Sequence, residues 1–505
     1  MRRSSQQLWF LAAAVALPWT ASAQSLAGTA APSRDPATIP DRLRTAVRIT
    51  GQPDPALRLV DRMRYYHVPG VSIAVVDDFR IVYAGGFGVR EFNTQERVDT
   101  TTLFLAGSIS KPVFSSGILR LVQEGKVALD EDVNARLTSW HLPETRYTAN
   151  ERVTLRHLLT HTAGLTVWGF PGYEIGKPVP TVPQVLDGAP PANTPAVRND
   201  TMPGALWRYS GGGITIAQLL ATDVTHETFP ALMQRLVLGP AGMTRSTYEN
   251  PLPNGRWSEA ATGHEHVDTP VPGHFHVYPE MAAAGLWTTP SELARWAIAL
   301  SRAYDGDTTA PFSPLMARQM ISCQVIVRPP YGNGCWGLGV RVAGAGDSLE
   351  FTHDGRDEGF VALFSMRPTQ GRGIFIMTNG VSGALMSEIV RAYAETYGMN
   401  APRRLDKQVA SVSRASLASL AGRYLATRGT DSLMIDIEAK GDGLELSLPS
   451  QSVFARLLPQ GDDRFIDVST GGTYRFTREG TSPTARGATI ELGTGPNRPI
   501  ARRVE

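Results

Sequence analysis

Apolar positions along the chain change their spacing several times, and each change predicts an element. Leu57, Leu59, Val60 and Met63 recur at helical spacing, so a helix is expected over residues 55–66. Apolar runs at 71–76 and 81–84 flank Asp77-Asp78-Phe79-Arg80 and read as a β-hairpin. An extended stretch from residue 102 runs into Ser108, after which Val113, Phe114, Ile118, Leu121 and Val122 share one helical face. Pro112 suits the first turn of that helix, where a missing N–H costs nothing, and Gly125 suits its end. Further helices are expected at 154–159, 214–224, 291–303 and 383–397, and strands at 336–343, 348–353, 360–366 and 373–378. Residues 169–203 are dense in proline and glycine without a sustained period, and read as a long surface loop bordering a site. Strands near both ends of this region, with helices between, predict an α/β fold. Its sheet comes from the two termini and a helical region is inserted in the middle.

Beyond a boundary near 400–415 the period becomes two. Short alternating runs at 433–437, 444–448, 464–468, 473–476 and 488–492 are separated by Gly, Asp and Pro turns, which predicts a small antiparallel barrel or sandwich. The expected organisation is a signal peptide over 1–23, a flexible lead-in over 24–50 and a main domain over 51–400. A linker over 401–414 and an all-β domain over 415–505 complete it.

The first segment is set by Arg2 and Arg3, an apolar run over 8–18 and the small residues Ala21-Ser22-Ala23. That run is too short to span a bilayer, so no membrane span is expected after cleavage, and the product is expected to be periplasmic or secreted. Cleavage removes two of the 49 basic residues and none of the 47 acidic ones, leaving the charges balanced. Balance argues against nucleic acid or an anionic membrane surface as the main partner. At 42% apolar and 19% charged, the rest reads as globular. In an oxidising compartment Cys323 and Cys335 either close a short disulfide loop or stay as two buried thiols.

Candidate chemistry begins at Ser108 and Lys111. Residues i and i+3 share a helical face, so hydroxyl and amine point into one space if the helix starts near Ser108. A nearby amine lowers the cost of removing the serine proton, and unpaired N–H groups at a helix start suit a developing oxyanion. Tyr209 lies at a loop-to-helix junction before Gly211-Gly212-Gly213, where a phenol can relay a proton. His353-Asp354-Gly355 is expected at a strand end, with a glycine that lets a substrate approach the backbone.

These three motifs, in this order, resemble the serine β-lactamase and penicillin-binding-protein superfamily, which carries Ser-x-x-Lys, then a Tyr- or Ser-x-Asn, then Lys-Thr-Gly or His-x-Gly. The tyrosine and histidine resemble its class C branch, which includes D,D-peptidases, D-aminopeptidases and carboxylesterases. Residues 157–165 (His157-Leu-Leu-Thr-His161-Thr-Ala-Gly-Leu165) and 282–293 look like that branch too, and 420–424 resembles a lipocalin-like appendage found on some members. The resemblance implies a β-lactamase-like antiparallel sheet flanked by helices. It implies Ser108 as acylated nucleophile, Lys111 as its activator, Tyr209 as proton shuttle and His353 lining the pocket. The backbone N–H groups of Ser108 and Arg356 would form the oxyanion hole, and Gly211 and Gly355 would border the substrate. Whether Lys111 or Tyr209 is the base stays open.

One position departs from the pattern. Gly211 stands where the family often has an asparagine that helps hold the substrate's amide side chain, which leans the expectation away from β-lactams and peptides and towards an ester or an unusual small substrate. Arg356 after the His-x-Gly is bulky and could select a carboxylate. The leading expectation is a serine hydrolase working through an acyl-enzyme on a small-molecule or peptide substrate, with no cofactor. The rivals are a D-peptidase or β-lactamase, and an inactive binding or scaffold protein of the same fold. His264-x-His266 and His274-x-His276 lack a completing ligand pattern, so no metal is expected. Gly332-x-Gly334-x-x-Gly337 leads into a strand-like run rather than the helix a dinucleotide needs, and Gly346-Asp-Ser348-Leu349 lacks partners for an esterase motif.

Overall fold

A computed structural model describes residues 34–266, 268–329, 332–399, 404–428, 431–448, 453–482, 484–492 and 500–504. The signal peptide expected over 1–23 lies outside them. The chain forms two compact units, one from Pro69–His264 and Asp268–Gly380, the other from described residues within Met1–Val68, Glu265–Val267 and Val381–Glu505.

The first unit is built on an eight-stranded sheet. Its strands are β1 (Gly70–Asp77), β2 (Arg80–Gly88), β3 (Val325–Val327), β4 (Gly334–Trp336), β5 (Arg341–Ala343), β6 (Glu350–Asp357), β7 (Phe360–Arg367) and β8 (Arg372–Thr378). The order is β3-β4-β5-β6-β7-β8-β1-β2 and every adjacent pair is antiparallel. Chain-distant segments therefore meet at β8 and β1, where Ile376 pairs with Ile73. Strand β1 is buried along nearly its whole length, which is why it reads as a continuous apolar run.

Between β2 and β3 lies the helical region. Its centre is α1 (Ser110–Gln123), with α2 (Gly211–Thr225) and α3 (Pro290–Asp305) around it. Almost all of α1 is buried, so it is a core helix rather than a surface one. Trp296 of α3 sets its ring edge-on to Phe351 and Phe364 of the sheet and donates its indole N–H to Ser116 of α1 at 3.1 Å. That side chain joins sheet and helices in one core.

Several boundaries differ from expectation. The α-helix starts at Ser110, not Ser108, because a 3-10 turn over Gly107–Ile109 precedes it. The expected strand over 336–343 is two antiparallel strands, β4 and β5, joined by a turn in which Gly339 takes a φ of +85°. The loop at 169–203 contains a short helix, Val182–Asp187, begun by a Thr181 capping box, and a two-residue strand, Tyr173–Glu174. Cys323 and Cys335 are joined in a disulfide. No helix among the described residues is long and apolar enough to cross a membrane.

The second unit contains a closed antiparallel barrel of eight strands, from Gly422–Arg428 to Ile500–Arg503, filled by Tyr424, Ile435, Leu444, Leu457, Phe465, Phe476 and Ile490. All five alternating runs of the sequence overlap its strands. The segment expected as a flexible lead-in is folded from residue 36, with a 3-10 turn at Pro36–Asp41 and a strand at Val47–Ile49. That strand pairs in parallel with Leu405–Lys407, and Val47 packs on Leu458 and Ile466. Pairing across so many residues leaves no local periodicity to read. In the same unit Arg62 of the helix Leu59–Tyr65 makes a two-pronged ion pair with Glu388 of Gly383–Thr396, and Tyr66 donates to the same carboxylate.

Candidate active site

Ser108 sits in a turn pressed against the sheet. The two-residue strand Phe104–Leu105 pairs with Trp287–Thr288, and the Gly107–Ile109 turn follows at once. Gly107 has a φ of +52°, and a Cβ there would lie 2.5 Å from the Arg356 nitrogen. A Cβ on Gly355 would lie 2.0 Å from the Ala106 carbonyl oxygen and 3.1 Å from the Ser108 nitrogen. Only two glycines let the nucleophile turn and β6 approach so closely. The His353-Asp354-Gly355 motif therefore lies within β6, which runs on to Asp357, rather than at a strand end.

Lys111 is buried in the first turn of α1. Its Nζ donates to Ser108 Oγ at 2.8 Å and to the Ala283 carbonyl at 2.7 Å. Burial lowers its amine to about 7, while Asp357 and Asp354 pull the other way. Close to half of the amine is then neutral at neutral pH.

Tyr209 is enclosed beside this pair, with Lys111 Nζ 5.0 Å from its ring centroid. Burial pushes its phenol far up and the neighbouring Ser108 side chain pulls it down. Its hydroxyl makes no hydrogen bond of regular geometry. Its ring packs among His161, Trp168, Trp207 and Trp336 at centroid distances of 4.2, 5.6, 6.3 and 5.9 Å. Trp168 is half exposed, so the wall opens to solvent on an indole face.

His353 lies 6.2 Å from Tyr209, ring to ring. Its Nδ1 donates to the Asp354 carbonyl at 2.5 Å, which leaves Nε2 as an acceptor without a partner. Burial lowers it to about 4, against the pull of Asp354, so the ring is neutral at pH 7. A neutral ring offers hydrogen bonding to the tyrosine or the substrate, and no charge to a substrate carboxylate.

The structure thus brings Ser108, Lys111, Tyr209, His353, Gly355 and Arg356 together. Gly211 is different. Its N–H donates to the Trp168 carbonyl at 2.9 Å, and a Cβ there would meet Phe170 at 3.0 Å. It is packed beneath residues 168–170 and presents no open surface. Sequence reasoning gave no role to His161, whose Nδ1 accepts the Ser210 N–H at 3.3 Å and so fixes the backbone beside Tyr209. The quoted His157–Leu165 segment carried that signal. Nothing in the spacing pointed to the Ala283 carbonyl or the aromatic wall. Of the histidines considered as metal ligands, His264 bonds the Asn379 carbonyl and the Phe92 N–H, His274 bonds Thr262, and His276 bonds the Pro171 carbonyl.

The profile of the Beta-lactamase family matches residues 57–397. The chain belongs to that family. Among curated relatives, Protein flp of Staphylococcus aureus (strain N315) is 25% identical over 379 residues, covering 71% of this chain and 66% of that protein. Unguisins hydrolase ungD of Aspergillus violaceofuscus is 24% identical over 357 residues, covering 63% and 59%. The chain thus spans a little under two thirds of the curated relatives it matches. Among solved structures, an octameric penicillin-binding protein homologue from Pyrococcus abyssi superposes with a TM-score of 0.56 at 20% identity, covering 88% of this chain and 98% of that one. That likeness carries the β-lactamase-like fold.

Proposed function

We propose that the chain is a secreted serine hydrolase that opens small esters or amides through an acyl-enzyme on Ser108. The observation that carries this reading is the 2.8 Å contact between Ser108 Oγ and an amine brought down to about 7. In the neutral form Lys111 takes the Ser108 proton as Oγ attacks the carbonyl carbon. The carbonyl oxygen becomes an oxyanion against the N–H groups of Ser108 and Arg356. Collapse breaks the bond to the leaving group, which receives the proton from Lys111 by way of Tyr209. Water then attacks the acyl carbon and passes one proton to Lys111 along the same path; the bond from the acyl carbon to Ser108 Oγ breaks, and Oγ takes that proton from Lys111, which restores both groups. Lys111 is a better base than Tyr209, because burial moves the amine towards neutral pH and the phenol away from it.

The tight cover over Gly211 supports an ester or small amide over a substrate whose side chain needs an amide from that position. Export rests on the apolar segment within residues 1–23. The test is hydrolysis of p-nitrophenyl esters of short acids. Ser108→Ala is expected to lose about 10⁴-fold or more in kcat/KM. Full activity in that variant would end the proposal.

A further inference from the structure

The chain over residues 166–168 is tied to the start of α2 by consecutive carbonyls. The Ser210 hydroxyl donates to the Thr166 carbonyl at 2.8 Å, the Gly212 N–H to that of Val167 at 3.1 Å and the Gly211 N–H to that of Trp168 at 2.9 Å. A side chain at position 211 would crowd this segment, its Cβ lying 3.1 Å from the Trp168 carbonyl oxygen. Val167 is held at a φ of +62°, in the left-handed region that β-branched side chains avoid. Strain of this kind persists only where the surroundings over-determine the backbone, and it clusters at ligand-binding positions. Here the three carbonyl contacts supply the constraint.

The side chain that this turn delivers is Trp168. It is 49% exposed, yet its ring lies 5.6 Å from that of Tyr209 at a tilt of 46°. Tyr209 continues into Trp336 at 5.9 Å, and Trp336 lies 5.6 Å from His353 and 5.3 Å from Trp207. One aromatic surface therefore runs from the open indole to two residues of the site. A single exposed apolar side chain needs no explanation. A strained and pinned backbone that holds one against Tyr209 does. The ligand this face fits is flat and uncharged. Indole faces attract aromatic rings and cations. The Lys111 amine already lies 5.0 Å from the Tyr209 ring centroid, so a second cation on this wall would be repelled. A carboxylate finds no open donor at the start of α2, whose first three N–H groups are taken by Trp168, Val167 and Ser210.

We propose that Trp168 determines specificity by stacking its indole face on an uncharged aromatic ring that the substrate carries beside the scissile bond. This rests on the hydrolase reading above. Trp168 is set against Tyr209, which borders both the acyl carbon at Ser108 and the leaving group it serves, so the ring belongs to one of these two parts. The substrate class is then an arylalkyl ester or small amide.

The test compares two pairs of esters that differ only in a flat against a puckered ring. Ethyl phenylacetate is set against ethyl cyclohexylacetate for a ring on the acyl part, and benzyl acetate against cyclohexylmethyl acetate for a ring on the leaving part. Each kcat/KM is divided by the ester's rate with hydroxide. Stacking predicts a corrected aryl preference of about threefold or more in at least one pair, and the pair that shows it tells which part carries the ring. Trp168→Ala should cut that preference by half or more, and Trp168→Phe, which keeps a flat face, by less. A smaller preference in both pairs, or one that Trp168→Ala lowers by less than half, overturns the proposal while leaving the hydrolase reading standing. If Trp168→Ala does not fold, the preference of the unaltered protein decides. If none of the four esters is turned over, phenylacetamide and cyclohexylacetamide are compared as inhibitors of p-nitrophenyl ester hydrolysis. If those esters are inert too, the hydrolase reading has failed on its own, and calorimetric titration with the same two amides judges the aromatic face. In either comparison phenylacetamide should bind about threefold tighter or more; a smaller ratio, or no binding, overturns the proposal.

Discussion

At the scale of single residues the chemistry turns on Lys111. Burial strips water from its ammonium and lowers its pKa to about 7, with Asp357 and Asp354 acting against the shift. A base works only while neutral. Below pH 7 Lys111 is protonated and cannot accept the Ser108 proton, so kcat/KM should fall about tenfold for each pH unit on the acid side and level off above roughly pH 8. His353, lowered to about 4, should add no inflection between pH 5 and 8. A pH–rate profile on a neutral ester checks both, and an acid limb with its midpoint near pH 4 would assign the base elsewhere. Ser108 and Lys111 were legible because a three-residue spacing has one helical meaning. His353 was legible through its motif. The Ala283 carbonyl that holds Lys111 was not, since it lies 172 residues from that lysine and shares no period with it.

At the scale of elements, the sheet's edge is where sequence and structure part. The run at 336–343 has the composition of one strand, but the turn through Gly339 folds it into β4 and β5. The three-residue strand β3 was too short to show alternation. The Cys323–Cys335 disulfide spans this edge with a separation of 12 residues. Closing a loop of that size stabilises by roughly 2–3 kcal/mol. Cys323→Ser should lower the unfolding free energy by about that amount, and reductant should bring the unaltered protein to the same value. Unfolding curves that coincide with and without reductant would mean the bridge contributes nothing. The core helices were easier to read, because α1 and α3 carry long apolar faces that only a helix can bury together.

At the scale of the whole molecule, the sheet assembled from distant segments and the C-terminal barrel could both be read from changes of period. The parallel pairing of Val47–Ile49 with Leu405–Lys407 could not, because the paired residues lie 358 apart in sequence and each strand is only three residues long. The same distinction governs the site. Its nucleophile lies on a local motif, while its walls come from segments brought in by the fold. The account stands or falls on Ser108 as that nucleophile, and the most direct measurement is labelling with a fluorophosphonate probe followed by peptide mass spectrometry. A single adduct on Ser108, formed faster as pH rises through 7 and absent from Ser108→Ala, is the predicted result. An unmodified Ser108 in folded protein, or an adduct on another residue that accounts for the activity, would contradict it.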